Sequence, residues 1–491
     1  MINSVNFVSN VIKLTSGSFF GQLVFISTTP VITRIYDPEV FGFFAIYSAI
    51  VRLVSGISPL RYEMAILIAE NKEDVKHLVV ISSIFVVFVC LLSYVIISAI
   101  NYLLDFIVAI DVINSHKLFV CLGIFFTGMI NVLVSLKTKN GQFQSIAIFK
   151  FIKPLSTSIV NIIYGVIIKS SSLGLIVGDL IGSFLGLLYL TFKSIKDVKS
   201  KSLSDLSKIR ALYLLKRYKS FPIFGTLSVL INSAMIHLPV IIISNFQTPL
   251  IVGFYALSNR VLQMPMALFN SGLSQVFLKN TSDNKSNGLV APLVTKTLIR
   301  LIMVSIFPMF VILLIGEDIF SFIFGEKWVP AGEYLQILSI WAFSAFLVQP
   351  LSQLVNVYEK QKEALIINIS RLIIRIGTLL LCLIYIDDFI VTLFYFSLAG
   401  FVSNAVFLIW LLKLVGCSLR PINIAIMKYF SISLFFCIPI YLVMNFTNLE
   451  TLYSTLFSIL LIVLYLFYTI FSDHGLKNLL FKSFKSLNGS N

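Results

Sequence analysis

PLIVGFYALSNRVLQMP, at residues 249–265, begins a long apolar helix and carries Arg260 about two turns past Gly253. An earlier stretch, PEVFGFFAI at residues 38–46, repeats the opening of this segment with the same internal spacing. Four pairs of identical residues lie 211 positions apart: Pro38 and Pro249, Gly42 and Gly253, Phe43 and Phe254, Ala45 and Ala256. Two similar segments in one hydrophobic chain, each followed by an arginine within its helix, favour a transporter built from two related halves.

The composition of the chain is that of a membrane protein. Of its 491 residues, 58% are hydrophobic and 12% are charged, against roughly 25% charged in soluble domains. Its mean hydropathy is +0.97, and apolar runs of membrane-spanning length recur from end to end. These runs do not alternate between polar and apolar residues, as the strands of a membrane barrel do. We therefore predict an all-α polytopic membrane protein.

The charge and cysteine content exclude several function classes. The formal net charge is +15, but the basic residues lie mainly in short loops between apolar runs, where they set topology rather than bind nucleic acid. The five cysteines are scattered through apolar segments without C-x-x-C spacing, and the four histidines form no cluster. No phosphate-binding loop or nucleophile elbow is present, so we predict no metal site, no cofactor and no nucleic-acid partner.

We predict about fourteen transmembrane helices. They lie at residues 14–35, 41–66, 78–103, 117–136, 144–168, 172–193, 220–245, 250–278, 296–316, 331–357, 364–386, 389–415, 427–446 and 451–471.

The connections between these spans alternate in charge. The connection after the sixth span, between Lys193 and Lys219, holds nine lysines and arginines, whereas the intervening connections at 37–39, 245–249 and 386–388 hold none. Positively charged loops face the cytoplasm. Both termini are therefore predicted to be cytoplasmic, as an even number of spans requires.

The most basic connection is also the best candidate linker. We predict an N-terminal six-helix lobe at 1–194, a cytoplasmic basic linker at 195–218 and a C-terminal six-helix lobe at 219–416. Two additional transmembrane helices and a cytoplasmic tail occupy 417–491. Because both copies of the repeated segment enter the membrane from the non-cytoplasmic side, the two lobes are parallel repeats.

Several basic residues lie inside the predicted spans, where an arginine costs roughly 2.5–3.5 kcal/mol on insertion scales and usually faces a cavity or a partner. The six are Arg52, Lys150, Lys153, Arg260, Arg371 and Arg375. Acidic residues there are fewer, with Asp179 in the sixth span and Glu63 nearer the cytoplasmic end of the second. A pyrophosphate carries two or more negative charges and fits guanidinium and ammonium groups. The sequence therefore predicts a pyrophosphate site built from these six cations.

Some of these residues have a second interpretation. Lys150 and Arg371 could instead extend to the cytoplasmic interface. Asp179 is either an ion-coupling group or the salt-bridge partner of a cavity cation. Arg61 and Glu63 are predicted to form an ion pair at the inner boundary of the second span.

Six stretches carry a family resemblance: YKSFPIF, HLPVIII, VGFYALSNRVLQMPMAL and QVFL from Tyr218 onward, LRYEMAI at 60–66, and FGEKWVPAGEY at 324–334. They resemble bacterial polysaccharide flippases of the Wzx type, members of the MATE-like superfamily of drug and lipid-linked-oligosaccharide exporters. The resemblance implies two six-helix lobes around a central cavity. It also implies transfer of an undecaprenyl-pyrophosphate-linked oligosaccharide, an O-antigen or similar surface polysaccharide unit, from the inner to the outer leaflet of the bacterial cytoplasmic membrane. A polysaccharide polymerase and chain-length machinery are the implied partners.

Two other function classes compete with the flippase hypothesis. A cation or drug antiporter of the same superfamily predicts carboxylates inside the membrane, and these are nearly absent. An integral-membrane polysaccharide polymerase predicts a sizeable outward loop with catalytic residues. The longest candidates, 104–116 and 317–330, are short but contain acidic residues. Trp328, in the second of them, could contact a sugar, but we predict that it anchors at the membrane interface. We expect a non-enzymatic flippase that works by alternating access.

Overall fold

The computed structural model describes residues 4–103, 116–168, 170–198, 207–285, 288–446 and 451–472. All regular structure in these ranges is helical. Within the described ranges, the first eight α-helices are α1 Ser4–Ile35, α2 Pro38–Ser55, α3 Tyr62–Ile68, α4 Lys72–Leu103, α5 Lys117–Lys139, α6 Phe143–Ile167, α7 Ser172–Val198 and α8 Lys208–Arg217. After a π-helical turn at Phe221–Gly225 come α9 Thr226–Phe246, α10 Pro249–Asp283 and α11 Val290–Phe324. A 3₁₀ turn at Glu326–Trp328 precedes α12 Val329–Leu351, α13 Leu354–Val357, α14 Gln361–Tyr385, α15 Phe389–Val415, α16 Arg420–Phe446 and α17 Thr451–Ser472.

The long helices confirm a multi-pass α-helical membrane protein. In the described ranges, fourteen helices have 18 residues or more and follow the fourteen predicted spans in chain order. Eleven candidate spans in those ranges are long and apolar enough to cross a membrane. The fold class is therefore confirmed, while fourteen remains an approximate number of spans.

The second predicted span, 41–66, is wrong as a single helix. Helix α2 ends at Ser55, and α3 begins only at Tyr62. Pro59 lies in the gap, and a proline disfavours helical backbone in the residue before it and removes one N–H donor. The sequence Gly56-Ile57-Ser58-Pro59 therefore ends the helix where hydropathy alone continued it.

Helix α3 begins from an unusual backbone conformation. Leu60 and Arg61 have φ angles of +48° and +60°, in the left-handed region that residues with a side chain seldom adopt. Arg61 Nη1 lies 3.2 Å from Glu63 Oε1, and the Glu63 carboxylate is almost fully buried. The predicted ion pair is thus confirmed, and it holds the turn that connects α2 to α3.

The helices group into two compact units. The first comprises residues 1–272 with 362–392, and the second residues 273–361 with 393–491. In the first unit, α6 packs against α1 on one side and α7 on another, α4 and α7 both pack against α5, and α2 packs against α5 and α9. The predicted lobe boundaries at 194 and 219 remain a prediction.

A glycine stripe brings α7 close to α6. Gly174, Gly178, Gly182 and Gly186 are four residues apart and therefore lie on one helix face. A Cβ atom on Gly182 would overlap Thr157 and crowd the backbone of Lys153, and one on Gly186 would overlap the ring of Phe149. Small residues of this kind allow membrane helices to pack backbone against backbone.

The second unit is built around α11. This helix packs against α12, α16 and α17. The Tyr465 hydroxyl of α17 donates a hydrogen bond of 2.9 Å to the Met303 carbonyl of α11, and the rings of Phe307 and Tyr465 are 4.6 Å apart. Trp328 is fully buried in this unit, so its prediction as an interfacial anchor is wrong. A fully buried ring cannot reach the lipid interface.

Candidate functional site

The two copies of the repeated segment meet at their glycines. A Cβ on Gly42 of α2 would overlap the carbonyl oxygen of Pro249, and a Cβ on Gly253 of α10 would overlap the carbonyl oxygen of Pro38. Each copy therefore presents the same backbone atom to the glycine of the other. The proline and glycine pairs of the repeat therefore form the crossing point of α2 and α10.

Both helices begin at this crossing and run away from it. Arg52 lies ten residues past Gly42, about 15 Å along its helix, and Arg260 lies seven residues past Gly253, about 10 Å along its own. Arg52 is exposed within the protein chain and Arg260 is half-buried. The Arg260 guanidinium lies 3.5 Å from the centroid of the Phe25 ring of α1, a cation–π contact.

Helices α6 and α7 add two more charged groups to these arginines. Lys153 on α6 interacts electrostatically with Asp179 on α7 and with Arg52. Arg260 interacts with the same two residues. Arg52, Lys153, Arg260 and Asp179, here termed the cation cluster, thus form one electrostatic group drawn from four helices. The α7 glycine stripe accounts for part of this arrangement, because Gly178 and Gly182 bring Asp179 close to the α6 backbone that carries Lys153.

Tyr47 and His237 also belong to this region, although the sequence did not indicate Tyr47. Tyr47 interacts electrostatically with Asp179 and Arg52, and His237 interacts with Arg52. Tyr47 is buried, and its hydroxyl makes no hydrogen bond within the described residues. Its signal in the sequence was weak, because a single tyrosine in an apolar helix is usually a packing residue.

The remaining predicted cations have other partners. The Lys150 ammonium donates a hydrogen bond of 2.9 Å to Ser18 Oγ. On α14, Arg371 Nη1 donates to Asn368 Oδ1 at 2.8 Å, and Arg375 Nη1 contacts the Met235 carbonyl oxygen at 3.4 Å. Arg375, which is buried, interacts electrostatically with both Arg371 and Tyr255. The structure therefore brings three of the six predicted site residues together and holds the other three through separate contacts.

The charge balance of the cation cluster favours an anion. It sets three basic groups against one carboxylate, in a part of the protein where charges interact more strongly than in water. Its donors are two guanidinium groups, which suit phosphate oxygens, and one ammonium group. Among the described residues, no group of three or more His, Cys, Asp or Glu side chains could hold a metal ion.

A family comparison covers more than half of the chain. The family model described as "Polysaccharide biosynthesis protein" matches residues 31–333. These residues include both copies of the repeated segment and all four members of the cation cluster. No curated protein matches the chain.

Solved structures with the same fold include transporters of two kinds. "Lipid II flippase MurJ, inward closed conformation" is 17% identical, with a TM-score of 0.73 over 94% of this chain and 100% of that chain. An inward-facing multidrug resistance MATE transporter of the MOP superfamily is 13% identical, with a TM-score of 0.63 over 83% of this chain and 94% of its own. A point mutant of the Vibrio cholerae MATE transporter VcmN is 16% identical, with a TM-score of 0.54 over 85% of this chain and 98% of its own. At these identities the likeness defines the fold, and none of the three matched proteins is described as an enzyme.

Proposed function

We propose, because the chain belongs to the polysaccharide biosynthesis protein family, that it is a non-enzymatic transporter that flips a lipid-linked oligosaccharide across a membrane. Its cargo is an undecaprenyl-pyrophosphate-linked oligosaccharide, an O-antigen or similar surface polysaccharide unit, which moves from the inner to the outer leaflet. This is the activity of Wzx-type flippases, which the chain resembles in sequence.

One observation carries the proposal. Arg52, Lys153 and Arg260 come from three different helices, and both Lys153 and Arg260 interact electrostatically with Arg52 and with the carboxylate of Asp179. Three basic groups in a membrane region are costly unless a ligand or cavity water compensates them. A diphosphate offsets the excess positive charge, and its oxygens match the donor geometry of arginine.

The cargo's three parts call for three environments. The diphosphate binds the cation cluster, the polar sugars need water, and the polyprenyl tail stays in lipid. The α2–α10 crossing lies at the helix ends whose connections, 37–39 and 245–249, carry no lysine or arginine. On the predicted orientation this is the outward side, so the crossing closes that side and must loosen when the cargo leaves. Binding and release then alternate between the two sides of the membrane.

The location and partners follow from the same proposal. The transporter lies in the bacterial cytoplasmic membrane with both termini in the cytoplasm. Its product, exposed at the outer leaflet, is the substrate that a polysaccharide polymerase and chain-length machinery use next.

A drug or cation antiporter is the competing function, since MATE transporters share the fold. Asp179 is the feature that favours it, because a carboxylate inside the membrane can bind a cation. The surrounding basic residues disfavour it, because Lys153 and Arg260 would repel a cationic cargo from Asp179. We therefore assign Asp179 to partial compensation of the positive charge of the cluster.

Transport by the purified protein tests the proposal. The protein is reconstituted in vesicles with a short-chain polyprenyl-diphosphate disaccharide that carries a fluorophore on the sugar, and a membrane-impermeant reductant then reports the accessible fraction. We expect protein-dependent translocation that R260Q abolishes and that K413Q, which changes an exposed lysine outside the cluster, leaves intact. Translocation of a cationic dye without movement of the diphosphate lipid would instead establish the antiporter.

A further inference from the structure

The basic linker contains a short helix with two unlike faces. Helix α8, Lys208–Arg217, has ten residues and is too short to span a bilayer. Residues 207–219 include five lysines and arginines and no acidic residue. Helix α8 differs from the long helices around it in this basic composition. It also has one face that packs against the protein and one face that does not.

One face of α8 is fixed to the first unit by apolar packing. Leu214 is fully buried in a cluster that includes Leu78, Leu136 and Leu190. The Tyr62 hydroxyl of α3 donates a hydrogen bond of 3.1 Å to the Leu215 carbonyl. These contacts hold the C-terminal half of α8 against α3, α4, α5 and α7.

Polar contacts fix the N-terminal half of α8 to the first turns of α4. Arg210 Nε donates to Asp74 Oδ1 at 2.8 Å, and the Asp74 carboxylate is nearly buried. The Ser207 backbone N–H donates to His77 Nε2 at 3.1 Å. The N-cap Ser207 thereby connects the start of α8 to the protein, and α8 cannot rotate about its axis without breaking these bonds.

The opposite face of α8 exposes large apolar side chains. Ile209, Leu212 and Tyr213 are 81%, 52% and 56% exposed. Their spacing of three and four residues places them on one face. Lys208 and Lys216, which flank this stripe along the helix, are both exposed. An apolar stripe bordered by basic side chains is the pattern of a helix that lies in a membrane interface.

The position of α8 fits this interpretation. Its contacts are with Asp74 and His77 at the start of α4, and α4 begins at Lys72, at the boundary of a long apolar helix. The α8 axis therefore lies at the level where that helix enters the bilayer. On the predicted orientation this is the cytoplasmic surface, whose anionic lipids attract juxtamembrane lysines and arginines.

We propose that α8 is an interfacial helix that binds anionic phospholipids of the inner leaflet. Ile209, Leu212 and Tyr213 insert at the boundary of headgroups and acyl chains, while Lys208 and Lys216 contact lipid phosphates. The Arg210–Asp74 ion pair transmits this attachment to α4, so the lipid surface holds the first unit through its linker.

The test uses the full-length protein with its five native cysteines replaced and a single environment-sensitive fluorophore at L212C or, independently, at I209C. The labelled protein is placed in nanodiscs of phosphatidylcholine, alone or mixed with phosphatidylglycerol, and in detergent micelles without phospholipid. We expect a blue shift and protection from an aqueous quencher in nanodiscs, both larger with phosphatidylglycerol. The double variant K208Q/K216Q should lose the phosphatidylglycerol dependence, and K362Q/K413Q, which alters exposed lysines outside α8 and α4, should keep it.

Three outcomes overturn the proposal. A probe that stays accessible to water in both nanodiscs would place the stripe in solvent. Equal shielding in micelles and nanodiscs would assign the stripe to packing within the protein. Shielding that appears only when a soluble protein fraction is added would assign it to a protein partner. None of these readouts requires transport, so the failure of this proposal is distinguishable from failure of the proposed function.

Discussion

The two copies of the repeated segment, α2 and α10, are alike at their beginnings and unlike further along. Both start with a proline and place a glycine four residues later, and these glycines contact the partner copy's proline carbonyl. Past that point α2 ends at Ser55, whereas α10 continues to Asp283. The comparison indicates that the crossing constrains both copies equally, while the distal parts diverged to give different shapes.

The arginines of the two copies also differ in position and environment. Arg52 lies ten residues past its glycine and Arg260 seven past its own, so they are offset by nearly one helical turn. Arg260 is half-buried and stacked on Phe25, and Arg52 is exposed. The two arginines are therefore separate members of the cation cluster rather than symmetry-related copies of one residue.

Disrupting the α2–α10 crossing should have the largest effect on transport and stability. Gly42→Leu and Gly253→Leu each place side-chain atoms where a backbone carbonyl lies, and overpacking typically costs about 1–3 kcal/mol. Because the contact is reciprocal, we expect the two variants to lose transport and thermal stability to the same extent. Gly377→Leu is the matched control, since a Cβ at Gly377 of α14 meets no atom within 4 Å. A tolerated substitution at either crossing glycine would contradict the described contact.

Neutralising each of the two arginines should weaken diphosphate binding to a different extent. Loss of a charge-assisted hydrogen bond costs about 1.5–3 kcal/mol, or roughly tenfold to hundredfold in affinity. We expect Arg260→Gln to weaken binding of a polyprenyl diphosphate by this amount and Arg52→Gln by less, because exposure and salt screen the Arg52 charge. Titration at low and high ionic strength measures both. A larger loss for Arg52→Gln would reverse the assigned roles.

Removing the aromatic contact of Arg260 should weaken diphosphate binding moderately. A partly buried cation–π contact is worth about 0.5–2 kcal/mol. Phe25→Leu removes the ring but keeps an apolar side chain, so we expect diphosphate binding to weaken by about fivefold. Phe19→Leu, at an exposed position of the same helix, is the control and should bind as the wild type does. Equal binding by both variants would show that the ring does not position the guanidinium.

The non-helical turn that ends α2, which α10 lacks, should give the smallest effect, a small change in stability. At positions 211 residues after Gly56-Ile57-Ser58-Pro59, the second copy reads Ala267-Leu268-Phe269-Asn270, which has no helix breaker. Pro59→Ala restores a flexible backbone and should lower the free energy of unfolding by about 0.4–1 kcal/mol. Pro421→Ala, in the exposed first turn of α16, should change it less. Thermal unfolding in matched detergent compares the two, and a stabilised Pro59→Ala variant would contradict this account of the turn.

The sequence predicted where the helices lie in the chain better than which face of each helix packs against its neighbours. Long apolar runs define membrane spans, so all fourteen long helices were found near their predicted positions. The exception is residues 56–61, which the prediction included in a helix because the apolar run extends through Pro59. The backbone conformation of Leu60 and Arg61 depends on local interactions that a hydropathy profile does not measure.

The sequence predicted only part of the candidate site. Charged residues inside apolar spans are conspicuous, but the rotation of an apolar helix is set by its neighbours, which a sequence does not show. The sequence therefore could not separate Lys153, in the cation cluster, from Lys150, which bonds to Ser18. Tyr47 was missed because its role depends on Arg52 and Asp179 nearby. The α7 glycines, four residues apart, were the available signal for the close approach of α6 and α7.

Arg52, Lys153 and Arg260 are proposed to bind a diphosphate together. The most direct measurement is the affinity of the purified full-length protein for a short-chain polyprenyl diphosphate and for the corresponding monophosphate, with the triple variant R52Q/K153Q/R260Q beside the wild type. We predict that the wild type prefers the diphosphate and that the triple variant loses both the affinity and the preference. An unchanged affinity in a folded triple variant would contradict the account.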